Sequence, residues 1–194
     1  YSDTWKKKTE FNSSYFYNNI AVASDQQLNR QYILPTGSYN YSQNSINNRS
    51  TESNRVNLTY DHKIDTFNSI KFTPSFTHQK NTYAFKSDYK SALPNGTMLN
   101  YGYSNSNSVA DGDDLKNNIL FRHKFAKKGR TLSVNSTINY NESSSGGNFS
   151  SNNNFYTNGC IGSHHTINQP NNLKMATKIF RTNVTYTEPI SRNT

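Results

Sequence analysis

Apolar and polar residues alternate with a period of two in several separate stretches, and that period is the signature of a β-strand, whose successive side chains point to opposite faces. Between Arg55 and Lys63, Val56, Leu58 and Tyr60 share one face while Asn57, Thr59 and Asp61 take the other. Between Ser69 and His78, Ile70, Phe72 and Phe76 oppose Lys71, Thr73, Ser75 and Thr77. In Asn118 to Phe125, Ile119, Phe121 and Phe125 oppose Asn118, Arg122 and Lys124, with Leu120 as an exception. Thr131 to Tyr140 is the cleanest case: Leu132, Val134, Ile138 and Tyr140 face away from Asn135, Thr137 and Asn139. Phe180, Val184 and Tyr186 oppose Arg181, Asn183 and Thr185, and a weaker first strand around Thr9 to Tyr17 groups Phe11, Tyr15 and Tyr17. The pattern predicts about six strands. Pro74, which cannot donate to a ladder, predicts a bulge or an end of regular pairing inside one of them.

The intervening segments alternate in length. Short links are predicted at Ile64 to Asn68, with Asp65 and Asn68 as turn residues, at Ala126 to Arg130, and after Glu188, where Pro189 interrupts the ladder. Long links are predicted at about Asn18 to Thr51, Tyr89 to Asp114 and Ser143 to Lys174, rich in Asn and Ser and carrying turn formers such as Pro94, Asn95, Gly96 and the Gly146, Gly147 pair. Short and long connections on alternate ends fit an outer-membrane β-barrel, with tight periplasmic turns and long extracellular loops. A soluble two-sheet sandwich remains the alternative, because alternation by itself does not separate the two.

Composition sharpens the picture. Only 31% of the 194 residues are hydrophobic, too few for an ordinary packed interior, yet 14 Tyr and 11 Phe with 17% charged residues depart from the signature of disorder. A barrel resolves this: lipid requires every backbone group to be paired but only the outward face to be apolar. The lipid-facing set is then Val56, Leu58, Tyr60, Ile70, Phe72, Phe76, Ile119, Phe121, Phe125, Leu132, Val134, Ile138, Tyr140, Phe180, Val184 and Tyr186. The lumen set is Asn57, Thr59, Lys71, Thr73, Asn135, Thr137 and Arg181. Tyr60, Phe76, Phe125, Tyr140 and Tyr186 are expected as aromatic girdles at headgroup level.

The net charge of +9 raises the question of nucleic acid. The basic residues sit in a turn (Lys127, Lys128, Arg130), in a leading segment (Lys6, Lys7, Lys8) or singly on strands. No interleaved platform of aromatic and basic residues is present to stack bases, so no nucleic-acid partner is predicted. No run of about 18 apolar residues encodes a membrane helix, and no signal-peptide pattern is found. With Tyr1 at its start, the chain reads as an interior piece of a longer polypeptide, its residues 1–194 forming part of a single barrel domain.

Three stretches carry a family resemblance. Tyr60-Asp61-His62-Lys63-Ile64-Asp65-Thr66-Phe67-Asn68-Ser69-Ile70-Lys71-Phe72, the stretch from Phe121 to Ser133 with its Lys127-Lys128-Gly129-Arg130 turn, and Tyr186-Thr187-Glu188-Pro189-Ile190 resemble the barrel portion of the Bacteroidota outer-membrane β-barrel family related to TonB-dependent receptors. The resemblance runs from about Asn54 onward. It implies a bacterial outer-membrane location, a parent protein with signal sequence and plug domain that this chain does not contain, contact with TonB through that plug, and passage of a solute through the barrel. Lys127, Lys128 and Arg130 would meet lipid phosphates at the membrane edge or stand in solvent, while Gly129 tightens the hairpin.

Candidate chemistry elsewhere is thin. Cys160 with His164 and His165 lacks further ligands at a recognised metal spacing, and Asp111, Gly112, Asp113 and Asp114 lack the glutamate that closes a calcium loop, so no metal or cofactor is predicted. No nucleophile elbow, phosphate loop or acid-base carboxylate pair is found, and a non-enzyme is expected. Two other functions stay open: a secreted or surface β-rich adhesin or glycan-binding module that binds through the Asn/Tyr-rich loops, and an envelope barrel without transport.

Overall fold

The computed structural model describes residues 1–5 and 8–190, so Lys6 and Lys7 of the leading basic segment lie outside it. The chain forms one antiparallel sheet of seven strands in sequential order: β1 (Ser2–Trp5), β2 (Thr9–Leu34), β3 (Gly37–Lys63), β4 (Asn68–Ala92), β5 (Met98–Lys124), β6 (Thr131–Thr157) and β7 (Cys160–Thr187). Each strand hydrogen-bonds to its sequence neighbour, as in a meander of hairpins. The sheet does not close on itself. β7 has one neighbour, and β2 has a second only where the four residues of β1 cover Thr9 to Asn12.

This is a single layer. Among the described residues no hydrophobic side chain is buried, and the buried polar side chains are three serines, Ser45, Ser87 and Ser151. Among the described residues no second sheet presses against the Phe, Leu, Val and Ile side chains, so these residues do not by themselves form a two-sheet sandwich. An apolar face of this kind is stable only against another element or a non-aqueous phase.

The short links fall where the sequence puts them. Asp65 shapes the β3–β4 turn by accepting hydrogen bonds from the backbone N–H groups of Phe67 and Asn68, both at 2.7 Å, and from Asn68 Nδ2 at 2.8 Å. These bonds, that from the Asn68 side chain foremost, hold the Asp65 carboxyl below the usual carboxylate range. Gly129, at φ +84°, takes the left-handed conformation that closes the β5–β6 turn.

The long loops are not loops. The segments around residues 18–51, 89–114 and 143–174 continue the strands, so β2 to β7 run 25 to 28 residues each and turn tightly at the far end. Leu34 pairs with Gly37 around Pro35-Thr36, and Thr157 pairs with Cys160 around Asn158-Gly159. Asn158 (φ 53°) and Gly159 (φ 79°) are both left-handed, the two-residue turn that matches strand twist. Of the expected turn formers, Pro94, Asn95 and Gly96 do make the β4–β5 turn, closed by Leu93 N–H to the Thr97 carbonyl at 2.8 Å. Gly146 and Gly147 instead lie within β6, where a Cβ on Gly147 would stand 2.4 Å from the Asn107 carbonyl oxygen. Gly147 thus makes room for the β5 backbone passing close by, whereas the near atom at Gly146 is the Asn172 side-chain amide oxygen.

Two smaller expectations also change. The strands number seven, because β1 adds a short edge strand to the predicted six. Pro74 produces no bulge but does mark a break in regular pairing: Asn57↔Ser75 and Tyr60↔Phe72 keep one register on either side, with the ladder interrupted at Leu58 and Thr59 opposite it. The register shifts lie elsewhere, at Ser91/Ala92 and Phe155/Tyr156.

Candidate functional site: the two faces of the sheet

Cross-strand register assigns every strand residue to a face, because directly opposed residues project to the same side. Starting from Val134, the row opposite runs Phe121 on β5, Ile70 on β4 and His62 on β3, with Val184 on β7. The next rows place Tyr60, Phe72 and Ile119 together, then Leu58, Ile138 and Phe180, then Tyr15, Val56, Phe76, Leu115 and Tyr140. Leu132 and Tyr186 complete the zone next to the turns. Every predicted lipid-facing residue within a strand therefore lies on one face and in one continuous patch. Phe125 follows β5 in the turn, edge-on to Tyr186 at 6.1 Å between ring centroids. Asn57, Thr59, Lys71, Thr73, Asn135, Thr137 and Arg181 all lie on the opposite face, which also takes Leu120, the exception in the alternation.

The apolar patch is about nine residues tall, from Leu132 to Tyr140 on β6. At about 3.3 Å per residue that is about 26 Å along the strand, and the usual tilt lowers it to about 20 Å. Many of its side chains stand open, with Phe180 69% and Val184 61% exposed. Directly above, the same face turns charged: Glu52, His78, Lys80, Asp111, Asp113 and Glu142 fill two successive rows. There His78 Nδ1 lies 2.9 Å from Asp113 and 3.7 Å from Asp111. Of these, Asp111 and Asp113 fell in a predicted long loop and His78 at the end of a predicted strand, while Glu52, Lys80 and Glu142 fell beside the predicted strands and loops.

The other face is polar and concave. A hollow of about 830 Å³ near the turns is lined by Glu10 of β2, Asp61 and Lys63 of β3, Ser69 of β4 and Arg122 and Lys124 of β5. The three buried side chains of the sheet, Ser45, Ser87 and Ser151, stand in one row on this face, as on the inner side of a curled sheet. A second hollow of about 500 Å³ lies higher, between Arg55, Gln79, Lys116 and Asn141. Near the far end, Tyr32 stacks on Tyr39 at 4.8 Å and Tyr89 reaches across Gly102 to donate a hydrogen bond to Asn153 at 2.6 Å. A Cβ on Gly102 would fall 2.8 Å from the Tyr89 ring, so glycine makes room for that bridge.

At the turn end the basic cluster has a specific partner that the sequence reading missed. Arg130 donates from Nε (2.7 Å) and Nη2 (3.0 Å) to the two Glu188 carboxylate oxygens, Lys127 Nζ joins them, and the Tyr186 hydroxyl donates to the same carboxylate. These donors, Arg130 foremost, hold the Glu188 carboxyl down at about 2. Lys127 and Arg130 thus clasp the end of β7 to the β5–β6 turn, a specific partner that a merely solvated turn would lack.

His164 and His165 project to opposite faces of β7, as do Asp113 and Asp114 on β5, whereas Asp111 and Asp113 share a face and flank His78. Exposed Cys160 opens β7 beside the tip turn. No protein-family model matches the chain, and no curated protein matches it.

Proposed function

We propose that this sheet is part of the wall of an outer-membrane β-barrel through which a solute enters the cell, with the apolar face toward lipid and the concave polar face toward the lumen. The observation that carries this reading is the apolar patch itself: concentrated on one face, about 20 Å tall against the roughly 25 Å apolar band of a membrane barrel, and bounded above by a charged belt. A layer with no buried hydrophobic core needs another phase to cover its apolar side, and acyl chains meet that need. The open edges along β2 and β7 call for further strands before a barrel closes, which accords with a wall segment of a larger barrel. Coupling to TonB rests on the family resemblance and would act through a plug outside this chain.

Lipid contact is testable with a single tryptophan. Trp5 is the chain's only tryptophan, so Trp5→Phe clears the background. In vesicles with brominated acyl chains, Val134→Trp should be strongly quenched and Asn135→Trp should not. Equal quenching at the two positions, or recovery of the protein in a soluble fraction without detergent, would sink the barrel reading. Loss of solute uptake on deletion of TonB is expected for the energised form.

A further inference from the structure

The concave face carries a charge bias that composition alone conceals. Within the height of the apolar patch, the polar face bears a cation in each successive row: Arg122, then Lys71, Arg181, Lys116 and Arg55, rising from the turns. Lys63 joins the first of these rows. Across the same rows from β2 to β7 the carboxylates on this face are Glu10, Asp61 and Asp114. Two of them are engaged, Asp61 with Arg122 at 3.8 Å and Asp114 with Lys116 at 2.6 Å. Lys63, Lys71, Arg181 and Arg55 stand outside every ion pair among the described residues. The apolar face at the same height has one charged side chain besides histidines, Lys178 at its upper rim over the Tyr140 ring.

Rows on this face are about 7 Å apart and neighbouring strands about 4.8 Å apart, so Lys63, Lys71 and Arg122, on β3, β4 and β5, lie within about a Debye length of one another, while Arg181, Lys116 and Arg55 stand farther out across the sheet. The hollow near the turns is lined by Lys63, Arg122 and Lys124 together with Glu10, Asp61 and Asp65, while at the upper one Arg55 and Lys116 meet Asp111, Asp113 and Asp114. Guanidinium and ammonium groups in a concave wall focus field on anions and form charge-assisted hydrogen bonds with them.

We propose that this face is an electropositive track for anionic solutes, compounds bearing carboxylate, phosphate or sulfate groups, running the full height of the apolar patch. The inference rests on the barrel reading for its role in passage, but the preference for anions belongs to the face itself and is measured separately. In a Cys160→Ser background, Asn135→Cys places a thiol on the concave face between the rows of Arg122 and Arg181. Asn48→Cys places one on the opposite face, well above the patch, in a row shared with Ala23 and Ala84. Each is reacted with a negatively and a positively charged methanethiosulfonate. The ratio of anionic to cationic rate should be about threefold or more higher at position 135, the scale expected of several screened charges at this spacing, and should fall as salt rises. Adding Lys71→Gln, Arg122→Gln and Arg181→Gln should bring it to the value at position 48. Equal ratios at the two positions, or a ratio at 135 unmoved by the three neutralisations, overturns the proposal. Should the brominated lipid fail to quench Val134→Trp while the rate preference holds, the membrane reading falls and the anion-binding face stands.

Discussion

The lower and upper parts of the same strands are built by different rules. Near the short turns, from Leu132 to Tyr140 on β6 and the rows beside it, one face is apolar and the other polar. Higher up, from about Glu142 to Thr157, both faces are Asn, Ser and Gly with scattered aromatics, yet the ladder with β7 continues to Thr157↔Cys160. Strand formation in the upper part owes little to side-chain partition. It comes from the backbone ladder, with cross-strand bonds such as Thr51 to Asn81 at 2.9 Å and Gln43 to Ser87 at 2.9 Å. Two-periodicity therefore reports an environment that differs between faces, and a strand bathed in one medium on both sides has no reason to show it.

The sharpest way to break this comparison is to place one charge at two heights on one face. Val134→Arg, inside the patch, should cost about 2–4 kcal/mol in lipid vesicles, read as a shift of the urea midpoint. Thr82→Arg lies on the same face above the charged belt and should stay within about 0.5 kcal/mol. Similar losses at both would mean that the two parts share one environment. A smaller effect is expected at the tip, where Gly159→Ala puts a Cβ on a residue with φ 79° and should cost about 1 kcal/mol. An unchanged midpoint there would show that the upper hairpin is not set by its turn.

The smallest effect is expected at the Glu188 clasp. Its carboxyl is held at about 2 against an ordinary 4.5, so the clasp contributes stability that is complete above about pH 4.5 and is lost as pH falls through about 2. A carboxyl carbon chemical-shift titration of Glu188 should have its midpoint near the lower value, and Arg130→Gln should move it upward. A midpoint at the ordinary value in the unaltered protein would remove the clasp. The group is exposed, so global stability should barely respond.

The lower part was legible because lipid or any apolar cover demands strict alternation, and Val134, Phe121, Ile70 and Val184 obey it on four different strands. The upper part was misread because Asn- and Ser-rich sequence is ambiguous between loop and two-sided polar strand. One signal was present: Asn158-Gly159 is the strongest short hairpin motif, and it implies strands on both sides of itself. The Glu188 partnership with Arg130 spans 58 residues, and pairing at that distance follows only from β6 lying beside β7.

By itself, the sequence determined the strands near the turns, the faces to which their side chains project and the position of the short turns, since these follow from a period of two and from local turn chemistry. Tertiary structure decided what depends on which strands are neighbours: the single open layer, the continuation of strands through polar segments, the stacking of rows into one patch and one cationic track. Register between chains far apart in sequence is a property of the ladder, and no single strand contains it.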